Sequence, residues 1–216
     1  MTHLQREIDK LKRKILALGA LVEDVLRLSF QAIEERDALK AQRVVATDLV
    51  IDEQEVEVEE ECLKILALYQ PVAGDLRFLV AVIKINSELE RIGDLASNVA
   101  ERALSLSQEH PVPVPAVLTV MADRTGAILE KALDALVRQD VDTARCVLGA
   151  DDEIDRLYHA IIEETKTLMA ADGGNVERGL RIVFAAHYLE RAGDRMTNIA
   201  EDVVFLATGH VEDLNQ

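Results

Sequence analysis

A motif that occurs twice constrains the fold of this chain more than any other feature. LERIGDLASNVAE at positions 89–101 returns as LERAGDRMTNIAE at positions 189–201, with Leu, Glu, Arg, Gly, Asp, Asn, Ala and Glu at matching places. A second pair, RDALKAQRVVATDLVID at 36–52 and QDVDTARCVLGADDEID at 139–155, occurs in the same order. Two matches in one order predict a duplicated structural unit.

The composition favours helices. Hydrophobic residues make up 49% of the chain and aromatic residues only 3%, which is typical of an aliphatic core packed between helices. Thr2 and Gln5 form a capping box, and a seam with alternating steps of three and four then follows: Leu4, Ile8, Leu11, Ile15, Leu18, Val22 and Val25. We therefore predict an all-α fold with three long helices in each half.

Turn and linker signals place the boundaries. In the first half, we predict helices to about Asp37, to about Tyr69, and, after a break at PVAG and a cap at Asp75, to about Gln108. In the second half, we predict helices to about Gln139, from about Asp140 to Ala171, and from about Asn175 to Ala207. The predicted units are a first repeat at 1–109, a Pro-rich linker at 110–116 and a second repeat at 117–216.

The charge excludes some classes of partner. The formal net charge is −16, and no dense basic patch follows the KLKRK stretch at 10–14, so general nucleic-acid binding is not expected. No run approaches the roughly 18 apolar residues of a spanning helix. We expect a cytoplasmic protein without membrane insertion.

The repeated motif places acidic and amide side chains on one stripe of a helix. At 100° per residue, the four side chains of the first copy fall within about 80° of arc, away from the apolar face: Glu90, Asp94, Asn98 and Glu101. The second copy places its four in the same way: Glu190, Asp194, Asn198 and Glu201. Gly93 and Gly193 recur beside these stripes, which suggests that the backbone of a neighbouring helix approaches closely there.

The preceding helix carries an acidic pair at one-turn spacing in each half: Asp48 with Asp52, and Asp151 with Asp155. A hairpin turning near Val72 or Gly173 brings each pair level with the acidic residues of the next helix. Crowded carboxylates repel, so they suit a hard or intermediate metal ion such as iron, manganese, magnesium or calcium. Further candidate ligands on the wheel are Glu55, Glu59, His159 and His187. A solvated acidic surface and a docking patch for basic partners remain the alternatives.

Taken together, these motifs and QPVAGDLR at 70–77 resemble the PhoU family of phosphate-uptake regulators over essentially the whole chain. The resemblance implies two tandem, pseudo-symmetric three-helix bundles side by side. It implies multinuclear metal clusters at the paired acidic motifs, with iron first and zinc or another divalent ion as the alternative. The family commonly has His directly after the Gly-Asp pair, where this chain has Leu95 and Arg195.

The functional expectations are those of the resemblance. It implies a cytoplasmic negative regulator that reports the state of a phosphate ABC transporter, through its ATPase subunit, to a phosphate-sensing histidine kinase. Asp75 and Arg77 lie in the matching signature and inherit a partner-binding role, and a homodimer is among the expected assemblies. The alternative is a ferritin-like carboxylate-bridged metalloenzyme or metal store. That class uses ExxH motifs, which none of the five histidines forms, so we expect no enzymatic activity.

Overall fold

A computed structural model describes residues 2–209 and confirms the all-α fold. Within that range it contains no strand, and its seven α-helices are α1 (His3–Glu34), α2 (Ala38–Tyr69), α3 (Ala73–Ser107), α4 (Ala116–Arg138), α5 (Val141–Leu148), α6 (Asp151–Ala171) and α7 (Val176–Thr208). A short 3₁₀ helix, Gly173–Asn175, joins α6 to α7. The first bundle consists of α1–α3. In the second bundle, α5 and α6 together take the place of one helix.

The predicted seam of α1 is its buried face. Thr2 caps the helix by accepting a hydrogen bond from the Gln5 amide at 3.2 Å. Every predicted seam residue from Ile8 to Val25 is buried, and Leu4 packs partly buried against the same core. The heptad-like spacing therefore identified the packing face correctly because helical side chains at three- and four-residue spacing share one side.

Two predicted boundaries in the first repeat were wrong. The first helix ends at Glu34 rather than near Asp37, and Asp37 instead caps α2 by accepting from the amides of Leu39 and Lys40. The third helix begins at Ala73, so Asp75 lies inside its first turn and does not cap it. A carboxylate in the first turn still favours the helix through its dipole, which explains why the sequence signal lies so close to the true start.

The second repeat departs from the predicted plan at its second helix. The expected single helix from Asp140 to Ala171 is divided into α5 and α6 at Gly149 and Ala150. Gly149 has a low helix propensity, and three acidic residues follow it in the first turn of α6, where they favour a new helix start. The first repeat has Ala46 in the place of Gly149, and α2 runs unbroken.

The two bundles pack against each other through α3 and α7, which run antiparallel. Lys84 of α3 meets Asp202 of α7, and Glu88 of α3 meets Asn198 of α7. The predicted linker is packed against the helices. Val112 is buried, and Arg178 of α7 donates to the carbonyl of His110 at 3.1 Å. Among residues 2–209, none of the helices has the length and apolar character to span a lipid bilayer.

Candidate metal centre

The first acidic cluster lies between α2 and α3. One carboxylate oxygen from each of Asp52, Glu90 and Asp94 lies within 4.8 Å of the others. Asp48 stands one turn away on α2, where its Oδ1 accepts a hydrogen bond from Ser97 Oγ of α3 at 2.8 Å. The hairpin thus brings both acidic pairs to the same height, as their positions in the sequence predict.

Mutual repulsion makes it unfavourable for all the carboxylates of this cluster to be ionised without a positive ion nearby. Burial, together with the charges of Asp94, Asp52 and Glu55, raises the pKa of Glu90 to about 7. Burial and then the charges of Asp48 and Asp52 also raise the pKa of Asp94. Burial and the neighbouring carboxylates raise the pKa of Glu90 to near neutral and shift the pKa of Asp94 in the same direction, so the two helices supply an oxygen donor set for a hard or intermediate cation. The residues present therefore fit an oxygen-ligated metal ion.

A second acidic cluster lies between α6 and α7 and is more widely spaced, because among residues 2–209 only Asp52, Glu90 and Asp94 bring three ligand oxygens within 4.8 Å of one another. Burial, followed by the charge of Asp155, raises the pKa of Asp194, and burial with the charge of Asp194 raises that of Asp151. His187 Nδ1 lies 3.3 Å from Glu190 Oε2, and the charge of His187 partly offsets the raised pKa of that carboxyl. The second cluster therefore has four carboxylates at matching positions, spaced more widely than in the first, with a histidine added.

The remaining members of the predicted stripes lie apart from the carboxylate clusters. Asn98 Nδ2 donates to the backbone carbonyl of Asp94 at 2.8 Å, and Glu101 points toward Arg102 at 3.7 Å. Asn198 Nδ2 donates to Glu88 Oε2 at 3.2 Å, across the boundary between the bundles. Glu201 lines a groove with Lys84 and Asp202. The stripe projection ignored α3 and α7 packing against each other, and this packing draws the C-terminal part of the α7 stripe toward α3.

The two signature residues predicted to bind a partner lie near one end of the molecule. Asp75 is in the first turn of α3, and the Arg77 guanidinium lies against Gly209, which ends α7. Fifteen residues separate Asp75 from Glu90, which is roughly 22 Å along a helix. Their partner-binding role stays a prediction, separate from the acidic clusters.

The recurring glycines allow contact with side chains rather than with backbone. A Cβ at position 93 would lie 2.9 Å from Cδ1 of Ile51, whereas one at position 193 would lie 3.5 Å from Cγ2 of Ile154. The neighbouring helix does come close, since a Cβ at position 93 would lie 3.8 Å from Cβ of Ile51 and one at position 193 would lie 3.9 Å from Cβ of Ile154, but the nearest atoms are those of side chains. Of the two positions, only 93 is tight enough that an added Cβ would force Ile51 of α2 to shift.

Sequence reasoning did not assign roles to Ser97 and Glu88. Ser97 holds Asp48, and its recurrence as Thr197 in the second copy of the motif was a signal that could have identified it. Thr197 itself bonds the backbone carbonyl of Asp194. Glu88 gave no such signal because position 188 is Tyr and because its partners come from the other repeat.

Fold and site together define an all-helical protein built from a duplicated three-helix unit, each unit presenting one carboxylate cluster between its second and third helices. The family model described as the PhoU domain matches the chain twice, at residues 15–103 and 118–203. The chain belongs to the PhoU family.

Curated relatives agree with this assignment. The chain is 33% identical over 208 residues to the phosphate-specific transport system accessory protein PhoU homolog of Aquifex aeolicus, covering 96% of this chain and 94% of that protein. It is 38% identical over 204 residues to the homolog of Pseudomonas aeruginosa, covering 94% and 84% respectively.

Solved structures show the same architecture. The crystal structure of PhoU from Pseudomonas aeruginosa superposes with a TM-score of 0.92 at 36% identity, covering 96% of this chain and 100% of that one. The phosphate transport system regulatory protein PhoU from Streptococcus pneumoniae superposes with a TM-score of 0.90 at 28% identity, covering 98% and 100%.

Proposed function

We propose that this chain is a non-enzymatic, metal-binding regulator of phosphate uptake. The observation that supports this best is the grouping of carboxylate oxygens of Asp52, Glu90 and Asp94 within 4.8 Å on two different helices. The relatives contribute the biological setting, since they are described as accessory and regulatory proteins of phosphate transport.

In each repeat, four carboxylates face each other from two helices. Asp48 and Asp52 project from α2 toward Glu90 and Asp94 of α3, while Asp151 and Asp155 of α6 face Glu190 and Asp194 of α7. Iron, or zinc or another divalent ion, would supply positive charge in a multinuclear cluster at each site. The carboxylates then lose their mutual repulsion, and each pair of helices holds one spacing.

The regulatory role follows from that rigidity. The long helices α2 and α3 offer extended surfaces whose shape depends on their spacing. We propose that these surfaces bind the ATPase subunit of a phosphate ABC transporter and a phosphate-sensing histidine kinase in the cytoplasm, and that the complex represses the phosphate-starvation response. Asp75 and Arg77 are candidate partner contacts. A homodimer is the form in which we propose that the chain presents its surfaces to the two partners.

The test is elemental analysis of protein purified without an affinity-metal step, comparing the native chain with the Asp94→Ala, Asp194→Ala double variant. We expect several equivalents of metal in the native protein and almost none in the variant. Helical content by circular dichroism should be unchanged, because both aspartates lie outside the buried core. A matched control, Asp24→Ala with Asp134→Ala, removes two surface carboxylates of α1 and α4 and should retain the metal.

Two outcomes would count against the proposal. If native protein contains no metal and binds none on reconstitution, the clusters are acidic docking surfaces rather than metal sites. Metal loss without any change in binding to the transporter ATPase or the kinase would make the metals incidental to signalling. Oxygen-dependent turnover by the iron-loaded native protein would instead support the ferritin-like alternative.

A further inference from the structure

An open groove of about 580 Å³ runs between α3 and α7, beside the first acidic cluster. Its wall is formed by Arg91, Asp94, Leu95, Asn98, Tyr188, Arg191 and Arg195. Arg91 and Arg191 are 100 positions apart, so no local sequence pattern brings the residues of this groove together. They meet only because the two repeats pack with α3 antiparallel to α7.

Three arginines in one groove are notable in a chain of formal net charge −16. Arg91 and Arg191 occupy the same place in the two copies of the motif, and the crossing of α3 with α7 brings both to this groove. Arg195 adds a third guanidinium where the first repeat has Leu95. Guanidinium groups present planar pairs of N–H donors that match the oxygens of phosphate.

One buried carboxylate holds two of these arginines in place. Arg91 Nη1 lies 3.0 Å from Glu88 Oε1, and Arg195 Nη1 lies 3.5 Å from Glu88 Oε2. The side chain of Glu88 is only 12% exposed, so this contact is largely shielded from water. Each guanidinium has further N–H donors beyond the one directed at Glu88. Glu88 therefore positions two guanidinium groups, and its single negative charge neutralises only one of their two positive charges.

Arg191 is the least committed of the three. Within residues 2–209, no ion pair at 4.0 Å or less holds its guanidinium, although its charge opposes part of the rise in the pKa of Asp194. Its side chain is exposed to the groove. It can therefore turn its donors to a ligand without breaking a contact that stabilises the fold.

Asp94 adds an acceptor to a wall that otherwise supplies donors. At neutral pH, inorganic phosphate keeps at least one O–H, which can donate to a carboxylate, whereas sulfate has no proton to donate. A carboxylate in the same groove wall as three arginines therefore favours a protonated tetrahedral oxyanion over a fully deprotonated one.

We propose that this groove binds inorganic phosphate, with Arg91, Arg191 and Arg195 donating to its oxygens and Asp94 accepting from its hydroxyl. This inference deepens the proposed function, on which its physiological meaning rests, by giving the regulator a direct ligand. The groove is open to solvent and larger than one phosphate ion, so the affinity should be modest.

The experiment is equilibrium dialysis of the chelator-treated full chain against labelled phosphate, at constant ionic strength and with sulfate as the competing ion. Arg191→Gln and the Arg91→Gln, Arg191→Gln double variant test the donors, and Asp94→Asn tests the acceptor. Arg6→Gln on the exposed start of α1 is the matched control for the loss of one positive charge.

We expect native protein and Arg6→Gln to bind phosphate alike, and Arg191→Gln to bind it about tenfold more weakly, as for one lost charge-assisted hydrogen bond. Sulfate should compete poorly with phosphate on native protein and about equally on Asp94→Asn. No detectable binding up to about 10 mM phosphate would overturn the proposal. Equal competition by sulfate on native protein would also overturn it.

Two further measurements separate this groove from the metal clusters. Phosphate that binds only after metal loading and is insensitive to the arginine substitutions would be held by the metal, which would overturn the groove assignment while leaving the proposed function intact. Metal content of Arg191→Gln equal to that of native protein, together with weakened phosphate binding, supports phosphate binding by the groove arginines rather than by the metal.

Discussion

At the scale of single residues, the two repeats differ in what lies beside the crowded carboxylates. Glu90 is surrounded by carboxylates, and its pKa is raised to about 7, whereas Glu190 has His187 at 3.3 Å. The first cluster therefore depends more on protons or an external cation, because an imidazole that can carry a positive charge lies against the second.

The raised pKa of Glu90 predicts that metal-free protein loses stability as pH rises. The folded state keeps the Glu90 proton to about pH 7, whereas the unfolded chain releases it near its ordinary value of 4.5. The folded state thus binds more protons between these values, so its free energy of unfolding falls across this window. Since Glu90 is only partly buried, screening by solvent limits the effect to about 1 kcal/mol.

The measurement is urea unfolding of chelator-treated native protein and Glu90→Gln at pH 5 and pH 8. The native protein should lose about 1 kcal/mol more than the variant between these pH values. Glu60→Gln, at an exposed position of α2, is the control and should follow the native profile. Identical pH profiles for native protein and Glu90→Gln would show that the carboxylates of the first cluster do not repel in the folded state.

The two motif glycines predict opposite responses to alanine. Gly193 leaves ordinary contact distance for a Cβ, so Gly193→Ala should raise the free energy of unfolding by about 0.5–1 kcal/mol through helix propensity. At Gly93 the new methyl would lie 2.9 Å from Ile51 Cδ1, and the resulting displacement should cancel or reverse that gain.

Urea denaturation of both variants provides the comparison. The substitution Ile51→Val removes Cδ1. Gly93→Ala should therefore be more favourable for stability when it is made in the Ile51→Val protein than when it is made in native protein. An equal gain from alanine at both positions would mean that Ile51 moves aside without cost.

At the scale of elements, an aspartate caps the second helix of each repeat. Asp37 accepts from the amides of Leu39 and Lys40, and Asp140 accepts from those of Asp142 and Thr143. These aspartates lie at matching positions in the second pair of repeated segments. The duplication thus preserved the start of the element even though the second copy is broken ten residues further on.

Removing the cap at Asp37 should destabilise the first bundle. Asp37→Ala leaves the two amides without their acceptor and should cost about 1 kcal/mol, whereas Asp37→Asn keeps a capping oxygen and should cost little. Thermal and urea unfolding of both variants measure this difference. A loss as large in Asp37→Asn as in Asp37→Ala would assign the effect to charge rather than to capping.

At the scale of the whole molecule, polar contacts accompany the packing of α3 against α7. Lys84 Nζ lies 2.8 Å from Asp202 Oδ1, and the Asp202 side chain is only 12% exposed. Burial is the main cause that raises the pKa of Asp202, and the hydrogen bond from Lys84 opposes it. Lys84 thus compensates a carboxylate that the packing of the two bundles has removed from water.

Loss of Lys84 should therefore weaken the joint between the bundles. Lys84→Met leaves Asp202 buried without its partner and should cost about 1–2 kcal/mol, while adding Asp202→Leu should restore most of the stability. Lys64→Met removes an exposed ion pair with Glu61 and should change stability by less than about 0.5 kcal/mol. Urea unfolding measures all three, and a double variant as unstable as the single one would show that the pair matters for more than charge.

The local features of the candidate metal centre were predictable from the sequence. The one-turn spacing of Glu90 and Asp94 gives both a common helix face, and the length of the turn sets their height against Asp48 and Asp52. Both effects act within one hairpin. The stripe prediction was less successful for Asn198, because its amide meets Glu88, more than 100 positions away.

By itself, the sequence determined the duplication, the helical class, the packing face of α1 and the pairing of acidic residues, because each depends on periodicity and short-range geometry. Only the tertiary structure decided which stripe residues turn toward the other repeat, and that Arg91, Arg191 and Arg195 share one groove. The antiparallel crossing of α3 and α7 produces these contacts through the burial of apolar faces from both repeats, and no local pattern in either repeat specifies that alignment.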